Sequence, residues 1–275
     1  MHKYAAIALF FILLSFSGGY AQQVLPNPKN GNTYVIAHRG EHNGIPENSL
    51  AAYQKAIDLG CDFVEIDVRT TKDGEFVSVH NATIDAYVIG TSGKVSDFTL
   101  SQLRTLDIGI KLDEKWSNTK IPTFEEILLL CKGKIGIYLD LKEAAPQALI
   151  SMIKKYGMQE AIVWYISAKD HQTLMEIKTY CPECLIMPDP GEKRNIKRVI
   201  SAYEPKIMAS DIGHISKSFV KQLHKNKVKV FVDDNEDDPK KWHHEWQQLL
   251  KLGVDGIQTD QPEALIEFLS SQENR

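Results

Sequence analysis

From Tyr34 onward, short apolar runs alternate with stretches whose apolar residues recur every three or four positions. The short runs fall at 34–38, 63–68, 75–80, 135–142, 161–167, 184–188, 206–210, 228–233 and 256–259. Helical spacing is predicted over 49–59, 123–131, 146–156, 170–180, 193–203, 216–226, 239–252 and 262–270. Strand–helix alternation of this kind implies a parallel sheet with crossover helices, and eight such units make a (β/α)8 barrel. Nine strands are one too many. Between 63–68 and 75–80 lies only a Thr-Thr-Lys-Asp-Gly stretch, too short for a helical crossover. Asp73-Gly74 is a hairpin-turn signal, so the fold expected is a barrel with a β-hairpin after strand two. That hairpin returns His80 toward Asp67.

Cap signals refine two helices. Asn48 is read as the N-cap of the 49–59 helix, and Thr123 with Glu126 as a capping box opening the helix to Cys131. Residues 81–121 form the one long excursion, with a short helix near 99–105, and it is expected to roof the catalytic face. Trp242 and Trp246, four apart, are expected to pack one face of the 239–252 helix.

The start of the chain has a different character. One positive charge precedes an apolar run from Tyr4 to Phe16, and Gly19 and Ala21 have signal-peptidase spacing. Residues 1–21 are read as a cleaved signal peptide, which makes 22–275 an exported, periplasmic or secreted, domain without a lasting membrane anchor. The mature chain then has 254 residues (275 − 21), within the usual barrel length of about 250. Loss of Lys3 moves the net charge from −4 to −5, and no basic run suggests nucleic acid. Of the four cysteines, Cys181 and Cys184 have CxxC spacing, but no second pair completes a zinc site; buried thiols or a local disulfide are expected.

The candidate chemistry gathers between Tyr34 and His80, with one further strand. Glu65 and Asp67 are two apart and share one face, as do Asp140 and Lys142 on 135–142. Three carboxylates converging at strand ends form a hard oxygen site suited to Ca2+ or Mg2+. His38 and His80 end their strands and are placed for acid–base work near neutral pH. Arg39 presents a planar fork for phosphate oxygens, and Lys142 a point charge. Two imidazoles, two cations and an alkaline-earth site together describe phosphodiester cleavage.

His38-Arg39-Gly40, Pro46-Glu47-Asn48, Glu65-Ile66-Asp67-Val68, Thr71-Lys72-Asp73-Gly74 and Val79-His80 resemble the signature of the glycerophosphodiester phosphodiesterase family. Ile121-Pro122-Thr123-Phe124, Asp140-Leu141-Lys142 and the segment from Gly253 to Pro262 are similar to its later blocks. The resemblance runs from Tyr34 to about Leu265. It implies hydrolysis of glycerophosphodiesters to sn-glycerol 3-phosphate and an alcohol with a divalent cation. By the same resemblance, His38 and His80 are the acid–base pair, and Glu65, Asp67 and Asp140 hold the metal. Arg39, Lys142, Glu47 and Phe231 would contact the substrate.

Four departures bear on specificity. Asp140 stands where the family usually has Glu, and Asn81 where it has Asp. Ala86-Tyr87-Val88 replaces an Arg-Thr-Thr segment, and Phe231-Val232-Asp233-Asp234 replaces Trp-Thr-Val-Asn, its two acids being read as a solvated loop. The competing readings are a sphingomyelinase D-like lyase acting on lysophospholipids and a non-catalytic phosphodiester-binding barrel. The lyase would need an apolar mouth, whereas the loops at 213–216 and 233–238 read as polar.

Overall fold

The computed structural model describes residues 25–234 and 238–273; the signal-peptide reading of 1–21 lies outside them. Eight parallel strands follow the order β6-β5-β4-β2-β1-β9-β8-β7, and β6 and β7, at the ends of that order, lie against each other. The strands are β1 (Tyr34–Ala37), β2 (Phe63–Thr70), β4 (Gly136–Glu143), β5 (Ile162–Ser167), β6 (Leu185–Asp189), β7 (Ile207–Asp211), β8 (Lys229–Asp233) and β9 (Gly256–Thr259). The ninth strand, β3 (Phe76–Ser78), pairs antiparallel with β2. Beyond that ladder, Val79 N donates to Asp67 O at 3.0 Å, which sets His80 beside the acidic end of β2.

The α-helices among the described residues are α1 (Leu50–Asp58), α2 (Leu100–Leu103), α3 (Phe124–Cys131), α4 (Pro146–Tyr156), α5 (His171–Tyr180), α6 (Ile196–Tyr203), α7 (Lys217–Lys225), α8 (Trp242–Leu252) and α9 (Pro262–Glu273). Thr123 and Glu126 form the expected capping box on α3. The cap of α1 is a correction: Ser49, not Asn48, accepts from Ala52 N. Asn48 instead takes a left-handed backbone (φ 50°) and turns its amide inward.

The two-residue period of each strand sorts its side chains between two cores. One set, including Val35, Val64, Ile66, Ile137, Leu139 and Trp164, packs outward under the helices. The other, Tyr34, Ile36, Phe63, Tyr138, Val163, Leu185, Met187, Ile207, Ala209 and Phe231, fills the lumen. Continuing this inner face toward the strand C-termini replaces apolar residues by His38, Glu65, Asp67, Asp140, Lys142, Asp189, Asp211 and Asp233. The barrel is therefore plugged below and polar at its mouth. The excursion has a small core of its own, with Val77, Val79, Ile84, Val88, Val95, Leu103, Ile108 and Ile121.

Trp246 is buried and stacks on Trp242 at 6.1 Å, against the barrel side of α8. Cys181 and Cys184 are joined by a disulfide, while Cys61 and Cys131 are buried thiols whose pKa values burial pushes up to about 12. A loop with a sequence separation of 3 removes little chain entropy. Reduction is therefore expected to cost no more than about 2 kcal/mol, read as a small drop in Tm with reductant.

Candidate active site

The His38-Arg39-Gly40 turn follows β1 directly. Its backbone is over-determined: Arg39 has φ 53°, its N–H donates to Glu65 Oε2 at 2.8 Å, and its carbonyl accepts from Asn48 N at 3.0 Å. Gly40 (φ 84°) cannot be replaced, because a Cβ there would lie 2.7 Å from the Ala52 carbonyl carbon. Backbone strain is thus spent on aiming the Arg39 side chain. Its Nη1 donates to both Glu47 carboxylate oxygens at 3.0 and 3.2 Å, and Nε lies 3.8 Å from Asp67 Oδ2. Glu47 therefore fixes the guanidinium and lines the cavity beside it.

Glu65, Asp67 and Asp140 bring one carboxylate oxygen each within 4.8 Å of one another. Burial, then Asp67 and Asp140, push the Glu65 carboxyl well above the usual range, and burial raises the Asp140 pKa against the pull of Lys142. Lys142 Nζ donates to Asp140 Oδ2 at 2.6 Å and lies 3.3 Å from Asp67 Oδ1. Burial works against its charge, but Asp140 and Asp67 outweigh it and raise its pKa. Within this cluster of charges, buried Asp67 Oδ1 and Arg39 Nε have no hydrogen-bond partner. Repelling, underbonded carboxylates with only oxygen donors suit a hard divalent cation. The residues fit.

Asp67 is also held from behind. Asn48 Nδ2 donates to its Oδ2 at 2.9 Å, and the Asn48 side-chain oxygen Oδ1 accepts from Tyr53 OH at 2.8 Å and Ser78 Oγ at 2.9 Å. A helix-start residue, a helix residue and the hairpin strand thus converge on one carboxylate of the acidic cluster.

The histidines have different supports. His38 Nδ1 lies 2.5 Å from Asp260 Oδ1, and His42 Nε2 lies 3.6 Å from the same oxygen. Burial raises the Asp260 pKa, but the His38 hydrogen bond and charge, then His42, bring it below the usual value. His80 Nδ1 lies 3.0 Å from the Asn81 amide oxygen, which can only accept. Either contact leaves Nε2 for proton transfer.

Three parts of the site were missed or misplaced by sequence reasoning. Phe231 does not face the substrate: it is 1% exposed and packs on Tyr34 and Phe63 in the barrel base. One layer nearer the mouth on the same strand face stands Asp233. It is half-buried, and burial, then Asp140, Asp234 and Asp189, push its pKa up to about 7 against the His38 charge. Asp234 accepts from Trp246 Nε1 at 2.7 Å, so neither acid sits in a solvated loop. Strand parity counted from Phe231 carried that signal.

Asp260 lies within the Gly253–Pro262 segment, but nothing local ties it to His38, 222 residues away. Arg69 had no signal at all. It is 7% exposed, and Nε donates to Val79 O at 3.0 Å and Nη2 to His80 O at 2.6 Å. Nη1 pairs with Glu143 at 3.1 Å, tying the hairpin end to β4. Arg69→Ala is expected to lower kcat about 10- to 100-fold with KM little changed, because misplacing an acid–base group costs orientation rather than binding. Lysine should restore little, lacking the fork. Steady-state kinetics with a melting curve for each variant check this.

A cavity of about 440 Å³ opens beside Arg39 and Glu47, walled by Ile45, Pro46, Tyr87, Ile108 and Leu112. The apolar lining comes largely from the excursion, so the mouth is less polar than the loops at 213–216 and 233–238 suggest.

A parallel barrel with an acidic, cation-clamped mouth defines a phosphodiester hydrolase. The glycerophosphoryl diester phosphodiesterase family model matches residues 38–264, and this chain belongs to that family of glycerophosphodiester hydrolases. A glycerophosphodiester phosphodiesterase from Caldanaerobacter subterraneus subsp. tengcongensis is 35% identical over 251 residues, covering 86% of this chain and 98% of the relative. The crystal structure of glycerophosphodiester phosphodiesterase from Agrobacterium tumefaciens matches with TM-score 0.75 at 22% identity, over 86% of this chain and 99% of that one. An Oleispira antarctica phosphodiesterase, solved with the product sn-glycerol-3-phosphate, matches with TM-score 0.74 at 22% identity, over 86% and 96%.

Proposed function

We propose that this enzyme hydrolyses soluble glycerophosphodiesters to sn-glycerol 3-phosphate and an alcohol, with a divalent cation and two histidines. The observation that carries this reading is the convergence of Glu65, Asp67 and Asp140 within 4.8 Å, beside Arg39 and Lys142. These carboxylates would hold Ca2+ or Mg2+, which when bound supplies charge stabilisation to the phosphoryl oxygens.

Arg39 and Lys142 bind the remaining phosphate oxygens, Arg39 being kept in register by Glu47 and Lys142 by Asp140. His38, backed by Asp260, takes the proton of the glycerol 2-hydroxyl, since a carboxylate behind an imidazole stabilises the imidazolium as it forms. The hydroxyl attacks phosphorus within the same molecule, which needs no second encounter. His80 protonates the departing alkoxide. Water then opens the cyclic phosphate, with the two histidines exchanging roles.

The test uses glycerophosphocholine, glycerophosphoethanolamine and glycerophosphoinositol, with glycerol 3-phosphate as the readout. Release is expected with added Ca2+ or Mg2+, none in chelator, and recovery on adding the cation back. Undiminished release in chelator would rule out the cation. The apolar cavity wall favours a second reading, the lyase acting on lysophospholipids. Phosphorus NMR separates the two: a cyclic phosphate that persists marks the lyase, and one that is consumed marks the hydrolase. We further propose export through the signal-like residues 1–21, a reading supported by the Cys181–Cys184 disulfide.

A further inference from the structure

The sequence shows no basic run, yet the fold assembles a basic face. Residues 193–203 and 217–227 carry eight of the 32 Lys and Arg residues and no carboxylate, in a chain of net charge −4. The cations are spaced four apart and divided between two segments, which hides them from a linear reading. In the barrel α6, the 3-10 turn Lys193–Asn195 that leads into it, and α7 line one groove with Lys193, Lys197, Lys221 and Lys225, together with Ser, Gln, Asn and Ile side chains. Spacing by four puts Lys221 and Lys225 on one face of α7. Among the described residues no ion pair engages these four lysines; Arg194 pairs with Glu192, and Lys229 with Asp255. Such a concentration of like charge is unfavourable to the isolated molecule and calls for an anionic partner.

We propose that this face docks on an anionic phospholipid surface. The composition of the groove selects that partner over a polynucleotide. Its cations are all lysines, which act as point charges, and its lining holds no aromatic ring on which a base could stack. Lysines clustered along exposed helices are what an anionic bilayer attracts, each adding to the attraction within a Debye length of the surface. Both helices follow parallel strands and so begin at the catalytic end of the barrel, which places the upper end of the basic stripe at the rim of the mouth. Docking side-on would hold the mouth at the lipid surface without covering it.

The experiment is co-sedimentation of the full-length mature protein with vesicles of phosphatidylcholine alone or with one third phosphatidylglycerol. The wild type is expected to sediment only with the anionic vesicles and to be released as salt rises. The triple variant Lys197→Glu/Lys221→Glu/Lys225→Glu is expected to lose at least about 100-fold in partitioning, with an unchanged melting curve. The triple Arg variant should bind as wild type. Failure of the wild type to sediment with anionic vesicles at low salt would overturn the proposal, as would equal sedimentation of the charge-reversed variant. Tighter binding to a single-stranded oligonucleotide than to vesicles would reassign the face to nucleic acid. These outcomes do not depend on which diester the active site cleaves.

Discussion

Replacing His80 with alanine is expected to lower kcat by about 10²- to 10⁴-fold, the usual range for a positioned acid–base group. KM should change far less, because Arg39 and Lys142, proposed to hold the phosphate, and the three clustered carboxylates are untouched. The protein should stay folded. His80 ends a hairpin whose anchorage lies in its backbone, with the Val79 and His80 carbonyls held by Arg69. A leaving-group series makes the result diagnostic. If His80 protonates the alkoxide, a diester with an acidic leaving alcohol, such as a nitrophenol, should lose much less rate in the variant than glycerophosphocholine does. Equal losses on both would remove His80 from that role.

Glu65→Gln is expected to separate activity from stability. Glutamine keeps an oxygen to accept from Arg39 N, as Glu65 Oε2 does at 2.8 Å, but removes one of three mutually repelling charges. Activity should fall by roughly 10³-fold as the cation loses a ligand. The stabilisation of the wild type by cation, about 2.7 kcal/mol at one hundred times Kd, should disappear. In chelator the order reverses. The Glu65 carboxyl titrates above its ordinary value of 4.5, so the native state holds that proton more tightly than the unfolded chain does. Its contribution is then most favourable in acid and becomes a cost as pH rises past the unfolded value. Glutamine cannot titrate. The chelated variant should therefore melt above the chelated wild type at pH 7, and the gap should close toward pH 4. A wild type that melts higher than the variant at pH 7 in chelator would contradict the repulsion described here.

Most of the site was legible because strand parity and turn chemistry are local. Glu65 with Asp67, and Asp140 with Lys142, share faces by a rule that needs no tertiary knowledge, and Asp73-Gly74 announces the turn that brings His80 back. The misreadings came where position along the chain had to be converted into depth. Phe231 and Asp233 share the inner face of β8, but only the assembled lumen shows that the ring belongs to the base and the acid to the mouth. Asn48 was misassigned because a helix-start asparagine is usually a cap; Ser49 next to it could take that duty and free the amide for Asp67. Arg69 is invisible in sequence, since nothing local distinguishes a guanidinium bound to carbonyls from one in solvent.

The Asp260 carboxylate that orients His38 belongs to the last strand–helix unit, and β1 is hydrogen-bonded to β9 as well as to β2. Chains are made from the amino end, so the first catalytic group is synthesised more than two hundred residues before its support. A nascent or truncated chain that stops at β8 carries all three carboxylates, yet has His38 without its partner. Orientation of His38 is thus expected to come last, once the segment carrying Asp260 has closed against β1.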